Sequence, residues 1–335
     1  MSRSPHRRLY FFEIFLAAQF VLIYIIIAIH GPAIGRLVTN NVLLSLLALL
    51  LETVIGVTIR TIVESIRGKG RAYIRSLKRA SWLSDTARFI IGNAMLLGVY
   101  GAIKLVIPLF NGTIYDRQLW EIDRVISGGL SPVVFTLSVF SNPRVLWFFD
   151  AAYAQIFFAS LHIAFMFILS HPSRRVRAAF INGNSFMWCA GAWLYMIFPS
   201  LGPAYVFPDL WIPVRGSLPV TDNLHTMLMM NYQNVLKLKH GIAAPLSLMF
   251  GIAAFPSMHV AFQTFVFLWM RRLWIFAQVI FGVFTLLILL GSMITGWHYL
   301  IDGIAAIALA AACYAIPAKR WRIAEWVRLR RIIRP

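Results

Sequence analysis

Charged residues are scarce in this 335-residue sequence, in which Asp, Glu, Lys and Arg together make up 13%. Soluble domains carry about a quarter charged residues, so an ordinary water-soluble fold is excluded. Cysteine is scarcer still, and Cys189 and Cys313 both lie in apolar runs, which argues against a disulfide framework. The chain is 60% hydrophobic, and runs such as FAQVIFGVFTLLILLG are long enough to lie in lipid. The sequence therefore predicts an integral membrane protein.

Acidic residues are also few, with 12 Asp and Glu against 31 Lys and Arg, for a formal net charge of +19. A strong basic excess is one mark of nucleic-acid binding. Here, however, the basic residues fall in short runs between apolar segments, which is typical of membrane topology. We therefore expect no nucleic-acid partner.

The apolar segments predict an all-α fold, a polytopic transmembrane bundle of about eight helices, since most segments approach the ~20 residues that cross hydrocarbon. The segment at 131–141 is too short to cross and is predicted to lie at the membrane interface. The predicted spans are 9–29, 41–63, 87–108, 145–169, 178–198, 254–270, 274–293 and 297–317.

Basic residues also indicate the orientation of the bundle. With eight spans, 21 Lys and Arg fall at one set of helix ends and 7 at the other. Because the Lys- and Arg-rich side of a membrane protein is cytoplasmic, both termini are predicted to be cytoplasmic. The long connection 199–253 then lies outside, and its segment NLHTMLMMNYQNVLKLK is amphipathic enough to rest on the lipid surface.

Three polar residues stand at the outer ends of predicted spans. His298 and Asp302 are four residues apart, which places them on one helix face, where the carboxylate can orient the imidazole as a nucleophile. His259, at the outer start of the sixth span, could protonate a leaving oxygen. This set suits phosphoryl transfer through a phosphohistidine and needs no metal or other cofactor. A metal site is the main rival use of two His and one Asp, but the further carboxylates usual for it are not evident.

Two further residues beside the histidines are candidates for substrate binding. Pro256-Ser257 opens the sixth span, where free N–H groups at a helix start bind phosphate well. Tyr299 follows His298 directly and could donate a hydrogen bond.

The stretches FPSMHVAF and GWHYLIDG resemble the second and third signature motifs of the type 2 phosphatidic acid phosphatase superfamily. The resemblance implies a six-helix core that acts on lipid phosphates, with His298 as nucleophile, Asp302 as its partner and His259 as general acid. It covers 87–317, which leaves two N-terminal helices and a basic loop in 1–86 and a basic cytoplasmic tail in 318–335.

The resemblance has a departure. Phosphatases of the superfamily carry an earlier K-x6-R-P motif and an Arg six residues before the nucleophile, where this chain has Ser292. FPSLGPAY, WFFDAAYAQIFF and TGWHYLIDG look more like the inositol phosphorylceramide synthase branch, which moves a phospho-headgroup between lipids. The catalytic residues therefore carry over, whereas the phosphate-binding cations do not.

Other residues are candidates for lining the cavity or neutralising phosphate. Tyr205, Asp150 and Tyr153 lie in the stretches that carry the second resemblance. The cationic candidates of the outer loop are Arg215, Lys237, Lys239 and His240, with solvated loop charges as the alternative reading. Glu52 and Lys104 lie in predicted spans and could pair between helices.

The sequence thus favours a membrane phosphotransferase that moves an inositol-phosphate-like headgroup between phospholipids or sphingolipids, with its site on the non-cytoplasmic face. We expect it in a bacterial inner membrane, facing the periplasm or exterior. A lipid phosphate or prenyl diphosphate phosphatase is the enzymatic alternative, and a lipid transporter is the non-enzymatic one. The sequence carries no signal for the oligomeric state.

Overall fold

The computed structural model describes residues 10–30, 32–242, 244–246 and 251–320. These residues form thirteen α-helices, two short 3₁₀ turns (Pro208–Leu210 and Arg215–Ser217) and no strand, which confirms the all-α class. The helices are α1 (Phe11–His30), α2 (Pro32–Ile66), α3 (Gly70–Leu77), α4 (Ala80–Phe110), α5 (Asp116–Ile126), α6 (Pro132–Val139), α7 (Pro143–Leu169), α8 (Arg174–Ile197), α9 (Pro203–Val206), α10 (Pro219–Lys239), α11 (Met258–Leu273), α12 (Ile275–Ile294) and α13 (Leu300–Arg320).

The eight predicted spans correspond to α1, α2, α4, α7, α8, α11, α12 and α13, so the predicted helical bundle is confirmed. Among the described residues, four helices are long and apolar enough to cross a membrane: Ile34–Ile66, Ala80–Phe110, Pro143–Leu169 and Ile275–Ile294. Phe11–Ile25 and Leu300–Ala315 are shorter apolar helices. The orientation stays a prediction, and part of its basis, Arg3, Arg7, Arg8 and residues 321–335, lies outside the described residues.

The segment predicted at the interface, 131–141, corresponds to the short helix α6. Pro132 stands in its first turn, and the Ser131 side chain caps it by accepting a hydrogen bond from the Val134 N–H at 3.3 Å. The amphipathic segment of the outer connection forms α10, which the Asp150 carboxylate of α7 caps through the N–H groups of Val220 and Thr221, at 2.8 Å each. Both helices therefore start at a defined polar anchor.

The chain divides into two compact units, of which the first comprises 1–99, 161–186 and 315–335. Its polar centre is Asp85, which accepts a hydrogen bond from the Tyr10 hydroxyl and forms an ion pair with the Arg174 Nε, both at 2.8 Å. Glu52 of α2 pairs with His162 of α7, with 2.5 Å between Oε1 and Nδ1. The pairing of Glu52 with Lys104 that the sequence suggested is therefore wrong.

The second unit comprises 100–160 and 187–314 and contains every candidate catalytic residue. Its hydrophobic core consists of Val133, Leu137, Leu146, Phe149, Trp211, Leu218, Met293 and Ile294. The Trp211 indole N–H also donates to the Ile294 carbonyl oxygen at 2.9 Å. This core holds the C-terminal end of α12, where the chain turns towards His298. The division at residues 86 and 317 stays a prediction.

Candidate active site

The turn that carries His298 lies between α12 and α13. Gly296 has φ of +77°, and a Cβ there would lie 2.4 Å from the Cβ of Ala204, so only glycine fits. The Ser292 carbonyl oxygen accepts the N–H groups of Trp297 and His298 at 2.9 and 3.1 Å. Ser292 therefore anchors the turn through its backbone, at the position where the phosphatases of the superfamily carry an arginine.

His298 and Asp302 form a buried pair at the end of this turn. The His298 Nδ1 lies 3.2 Å from the Asp302 Oδ2, and the two side chains are 3% and 0% exposed. The same Oδ2 accepts the Tyr299 N–H at 2.9 Å. Because a carboxylate accepts hydrogen bonds, this contact favours the tautomer with the proton on Nδ1 and leaves the lone pair on Nε2.

His259 stands in the first turn of α11 and faces the same site. Its ring centroid lies 6.1 Å from that of His298, and it packs on Phe157 and Tyr153 with centroids 4.2 and 5.2 Å away. The structure therefore brings together the three residues that the sequence singled out as catalytic. Two aromatic rings of α7 fix the orientation of the second imidazole.

Ser257 precedes His259 and is the N-cap of α11. Its Oγ accepts the Val260 N–H at 3.4 Å, and its own N–H donates to the Asp302 backbone oxygen at 3.1 Å. Pro256 stands before the cap, after a cis peptide bond, and not in the first turn of the helix as the sequence suggested. A substrate contact by Ser257 stays a prediction.

Lys104 of α4 is a cation whose charge acts on both His259 and His298. The sequence analysis did not assign it to the site. Its ammonium lies within electrostatic range of both imidazoles and 5.4 Å from the Tyr195 ring centroid. Among the described residues, no carboxylate pairs with it. The only signal in the sequence was a lone lysine in an apolar span, which is costly in lipid and so points to function.

Two tyrosines carry hydrogen bonds beside Lys104. The Tyr195 hydroxyl is bonded to the Tyr100 hydroxyl and to the backbone of Met258, the first residue of α11. A third tyrosine, Tyr153, is 7% exposed, and its hydroxyl has no hydrogen-bond partner in the described part of the chain. A buried hydroxyl without a partner is costly, so Tyr153 keeps its place among the candidates for substrate binding.

Helix α5 supplies two carboxylates that the sequence analysis missed. Asp116 accepts the N–H groups of Leu201 and Gly202 at 2.8 and 2.7 Å, and the Tyr299 hydroxyl at 2.9 Å. Asp123 accepts the N–H groups of Leu300 and Ile301, at 2.7 Å each. Their spacing of seven residues on one helix face, D-x6-D, was the available signal.

Both carboxylates of α5 are only 1% exposed, which shifts their ionisation. Burial raises the pKa of Asp123 to about 6, against the opposing effect of its two backbone N–H donors. Burial likewise raises the pKa of Asp116, again against the hydrogen bonds that it accepts. Burial in the folded state therefore makes the ionised form of each carboxylate less favourable than it is in water.

Three predicted substrate-binding side chains are engaged elsewhere in the structure. The Tyr299 hydroxyl donates to Asp116, and the Asp150 carboxylate caps α10. The Tyr205 hydroxyl donates to the His225 backbone oxygen at 3.3 Å. The Tyr205 and His225 rings also pack against Trp297, with centroids 6.2 and 4.0 Å away, so they support the turn that carries His298.

The cations predicted in the outer loop do not converge on the histidines. Arg215 pairs with Asp222 at 2.9 Å and is 56% exposed, and Lys237 donates to Asn234 at 3.3 Å. Lys239 donates to the Pro108 carbonyl oxygen at 3.4 Å, and His240 is exposed at the end of α10. Their roles in phosphate binding stay predictions. Within the described residues there is also no group of three or more His, Cys, Asp or Glu that could hold a metal.

The family model of the PAP2 superfamily matches residues 117–316, which is more than half of the chain. The match includes His259, His298 and Asp302, whereas Lys104 and Asp116 precede it. No curated protein and no solved structure matches the chain. The chain therefore belongs to the PAP2 superfamily, whose members are generally phosphatases and phosphotransferases.

Proposed function

We propose that this protein is a membrane enzyme that moves an inositol-phosphate-like headgroup from a donor lipid to an acceptor hydroxyl, through a phosphohistidine at His298. The observation that carries the proposal is the buried His298–Asp302 pair with the imidazole of His259 at 6.1 Å between ring centroids. Membership of the PAP2 superfamily supports phosphatase or phosphotransferase chemistry in general.

In the first step, the His298 Nε2 attacks the phosphorus of the donor diester. A P–N bond forms, the P–O bond to the lipid glycerol breaks, and protonated His259 gives its proton to the leaving oxygen. The lipid alcohol departs and the headgroup phosphate stays on His298. Asp302 stabilises the positive charge that develops on the attacking imidazole.

The second step reverses these roles. The acceptor hydroxyl gives its proton to the now neutral His259 and attacks the phosphorus, so that the P–O bond forms as the P–N bond breaks. His298 is released as the neutral imidazole and His259 is protonated again. Both histidines thus return to their starting states, and no further reactant is needed.

The charge at the site favours a diester substrate. A phosphodiester carries one negative charge, whereas a monoester carries about −1.5 to −2 at pH 7. Lys104 is the cation that acts on both imidazoles, while Arg215 is paired with Asp222. One half-buried lysine ammonium matches one phosphate charge, which supports headgroup transfer over hydrolysis of a monoester.

The neighbouring tyrosine supports the same substrate class. Tyr153 is 7% exposed, packs on His259 and carries a hydroxyl without a partner among the described residues. A polyol headgroup or a phosphate oxygen would provide that partner. We further propose that the site lies on the non-cytoplasmic face of a bacterial inner membrane and uses phospholipids or sphingolipids as donor and acceptor.

A transfer assay tests the function. Purified full-length protein in phosphatidylcholine nanodiscs receives radiolabelled phosphatidylinositol, with fluorescent ceramide or diacylglycerol as acceptor. The proposal expects label in a new phosphodiester of the acceptor, and loss of this product in His298→Ala. His162→Gln is the matched control, because His162 pairs with Glu52 in the other unit and glutamine keeps a hydrogen-bonding side chain.

Each alternative has its own outcome. Release of soluble labelled phosphate or inositol phosphate in the nanodisc assay, with the acceptor unmodified, identifies a hydrolase. If His259→Ala and His298→Ala both leave turnover intact while lipid flux across the membrane of sealed proteoliposomes falls, the protein is a transporter. Either result overturns the proposal.

A further inference from the structure

We propose that Asp116 and Asp123 of α5 are positioning residues that hold the His298 turn in the geometry for attack on phosphorus. The inference rests on the proposed function and extends it to a helix that does not contact the reacting atoms. The two carboxylates lie seven residues apart in the sequence. Asp116 acts on His298 through Tyr299, and Asp123 acts through the first turn of α13.

Asp123 caps α13 from a distant part of the sequence. Its two oxygens accept the N–H groups of Leu300 and Ile301 at 2.7 Å each, across 177 and 178 residues. A helix start usually takes its cap from the adjoining chain, where the N-cap side chain serves the N2 or N3 N–H. Here the Tyr299 N–H goes to Asp302 at 2.9 Å, so two carboxylates share the first donors of α13.

This arrangement couples the cap to the nucleophile. Asp302 lies within the turn of α13 whose N–H groups Asp123 holds, and it is the partner of the His298 imidazole. A shift of this turn would therefore move the Asp302 carboxylate relative to the His298 Nδ1. Misplacement of a catalytic group by about 1 Å can cost about 100-fold in rate.

Asp116 holds the other side of the turn. Besides the Tyr299 hydroxyl, it accepts the N–H groups of Leu201 and Gly202. Gly202 has φ of +105°, and a Cβ there would lie 2.5 Å from the Trp297 carbonyl oxygen. The Asp116 carboxylate thus joins Tyr299, the residue after His298, to Gly202, which packs against Trp297, the residue before His298.

The remaining face of α5 shows that the two carboxylates are directed inwards. Both are 1% exposed, whereas Glu121 and Arg124 form an exposed pair at 3.5 Å. Val125 is 78% exposed. A helix that needed only solubility or surface anchoring would gain nothing from two buried carboxylates, since burial of a charge is costly unless hydrogen bonds compensate for it.

The test compares Asp116→Asn and Asp123→Asn with Glu121→Gln, an exposed carboxylate of the same helix that is 63% exposed. Labelled phosphatidylinositol in nanodiscs is the probe, and both steady-state turnover and the first-turnover rate of label transfer to the protein are measured. We expect kcat and the first-turnover rate to fall about 10- to 100-fold in each Asn variant. KM should stay within about threefold, and Glu121→Gln should match the wild type.

Tyr299→Phe keeps the proposal testable if an Asn variant fails to fold. It removes only the hydroxyl that donates to Asp116. If the hydroxyl acts through Asp116, Tyr299→Phe and Asp116→Asn combined lose little more than Asp116→Asn alone, because the two changes remove the same interaction. Additive losses, or a rise in KM alone in Tyr299→Phe, would overturn the inference.

The first-turnover measurement separates this inference from the proposed function. If the wild type transfers no label to the protein, the phosphohistidine mechanism fails. If the wild type does so and all folded α5 variants keep its rate, the mechanism stands and the positioning role of α5 is wrong. If kcat and melting temperature both fall in the α5 variants and KM rises, the two carboxylates have a general structural role. That result would also overturn the positioning role.

Discussion

The Ser257 N–H donates to the Asp302 backbone oxygen at 3.1 Å, so the helices that carry the two halves of the site start side by side. His259 follows Ser257 by two residues, and His298 precedes Asp302 by four. This contact ties the start of α11 to the first turn of α13, and the two imidazole rings lie 6.1 Å apart between centroids.

Asp302→Asn tests the role of the carboxylate beside the nucleophile. Asparagine keeps the size of the side chain but can donate to the His298 Nδ1, which favours the tautomer with the proton on Nε2. We expect kcat to fall by up to about 10⁴-fold, the loss seen when the orienting Asp of a catalytic triad is replaced by Asn. Binding of the substrate lipid to the protein should be unchanged. Turnover within threefold of wild type would contradict the assigned role.

Lys104→Met tests the half-buried cation of α4. The loss of one charged donor at a developing phosphate charge typically costs about 10²- to 10³-fold in kcat. Lys104→Arg should retain more activity than Lys104→Met, because the charge remains. The control is Lys78→Met, which removes an exposed lysine from the end of α3. Equal activity of Lys104→Met and Lys78→Met would exclude the ammonium from phosphate binding.

The raised pKa of Asp123 predicts a pH dependence of stability. The folded state binds a proton at this carboxyl with a pKa of about 6, above the ordinary aspartate value of 3.8, because burial disfavours the charge. Between these values the folded state binds more protons than the unfolded state, so the contribution of Asp123 to stability is present at low pH and lost as the pH rises through about 6.

Melting temperatures in detergent, taken near pH 4.5 and pH 7.5, isolate this contribution. The wild type should gain more on acidification than Asp123→Asn does, because the Asn variant lacks the titrating group. Asp116 titrates in the same direction and is present in both proteins, so it cancels in the comparison. An equal response of both proteins to pH would show that Asp123 has no raised pKa.

Gly296→Ala tests the tight turn before His298. The added Cβ would lie 2.4 Å from the Ala204 Cβ and sit on a backbone with φ of +77°, a conformation that costs a non-glycine residue about 1–3 kcal/mol before any clash. We expect a lower melting temperature together with a large loss of turnover. Gly112→Ala is the control, since nothing lies within 4 Å of a Cβ at that position. Equal melting temperatures in the two variants would show that the turn tolerates a side chain.

Much of the fold could be predicted from the sequence because hydrocarbon imposes a simple requirement on length and apolarity. Each of the eight predicted spans has a helix in the structure, such as 145–169 against Pro143–Leu169. The pairing of His298 with Asp302 followed from a spacing of four residues, and the approach of His259 followed from placing all three at one membrane level.

The parts that sequence reasoning missed depend on contacts between distant segments. Lys104 has no neighbour in sequence that marks it, and its electrostatic effect on the histidines arises only when α4 packs in place. Asp116 and Asp123 lie between two predicted spans, and their partners are 85 to 183 residues away. No local pattern identifies the N–H group that a carboxylate will reach across such distances.

The most direct test of the account is to locate the phosphorylated residue after one turnover. Wild-type protein and His298→Ala are quenched at alkaline pH after brief exposure to labelled phosphatidylinositol, and the modified peptide is mapped by mass spectrometry. The account predicts an inositol phosphate group on the imidazole of His298 in the wild type and no adduct in the variant. An adduct on any other residue, or full turnover by His298→Ala, would contradict it.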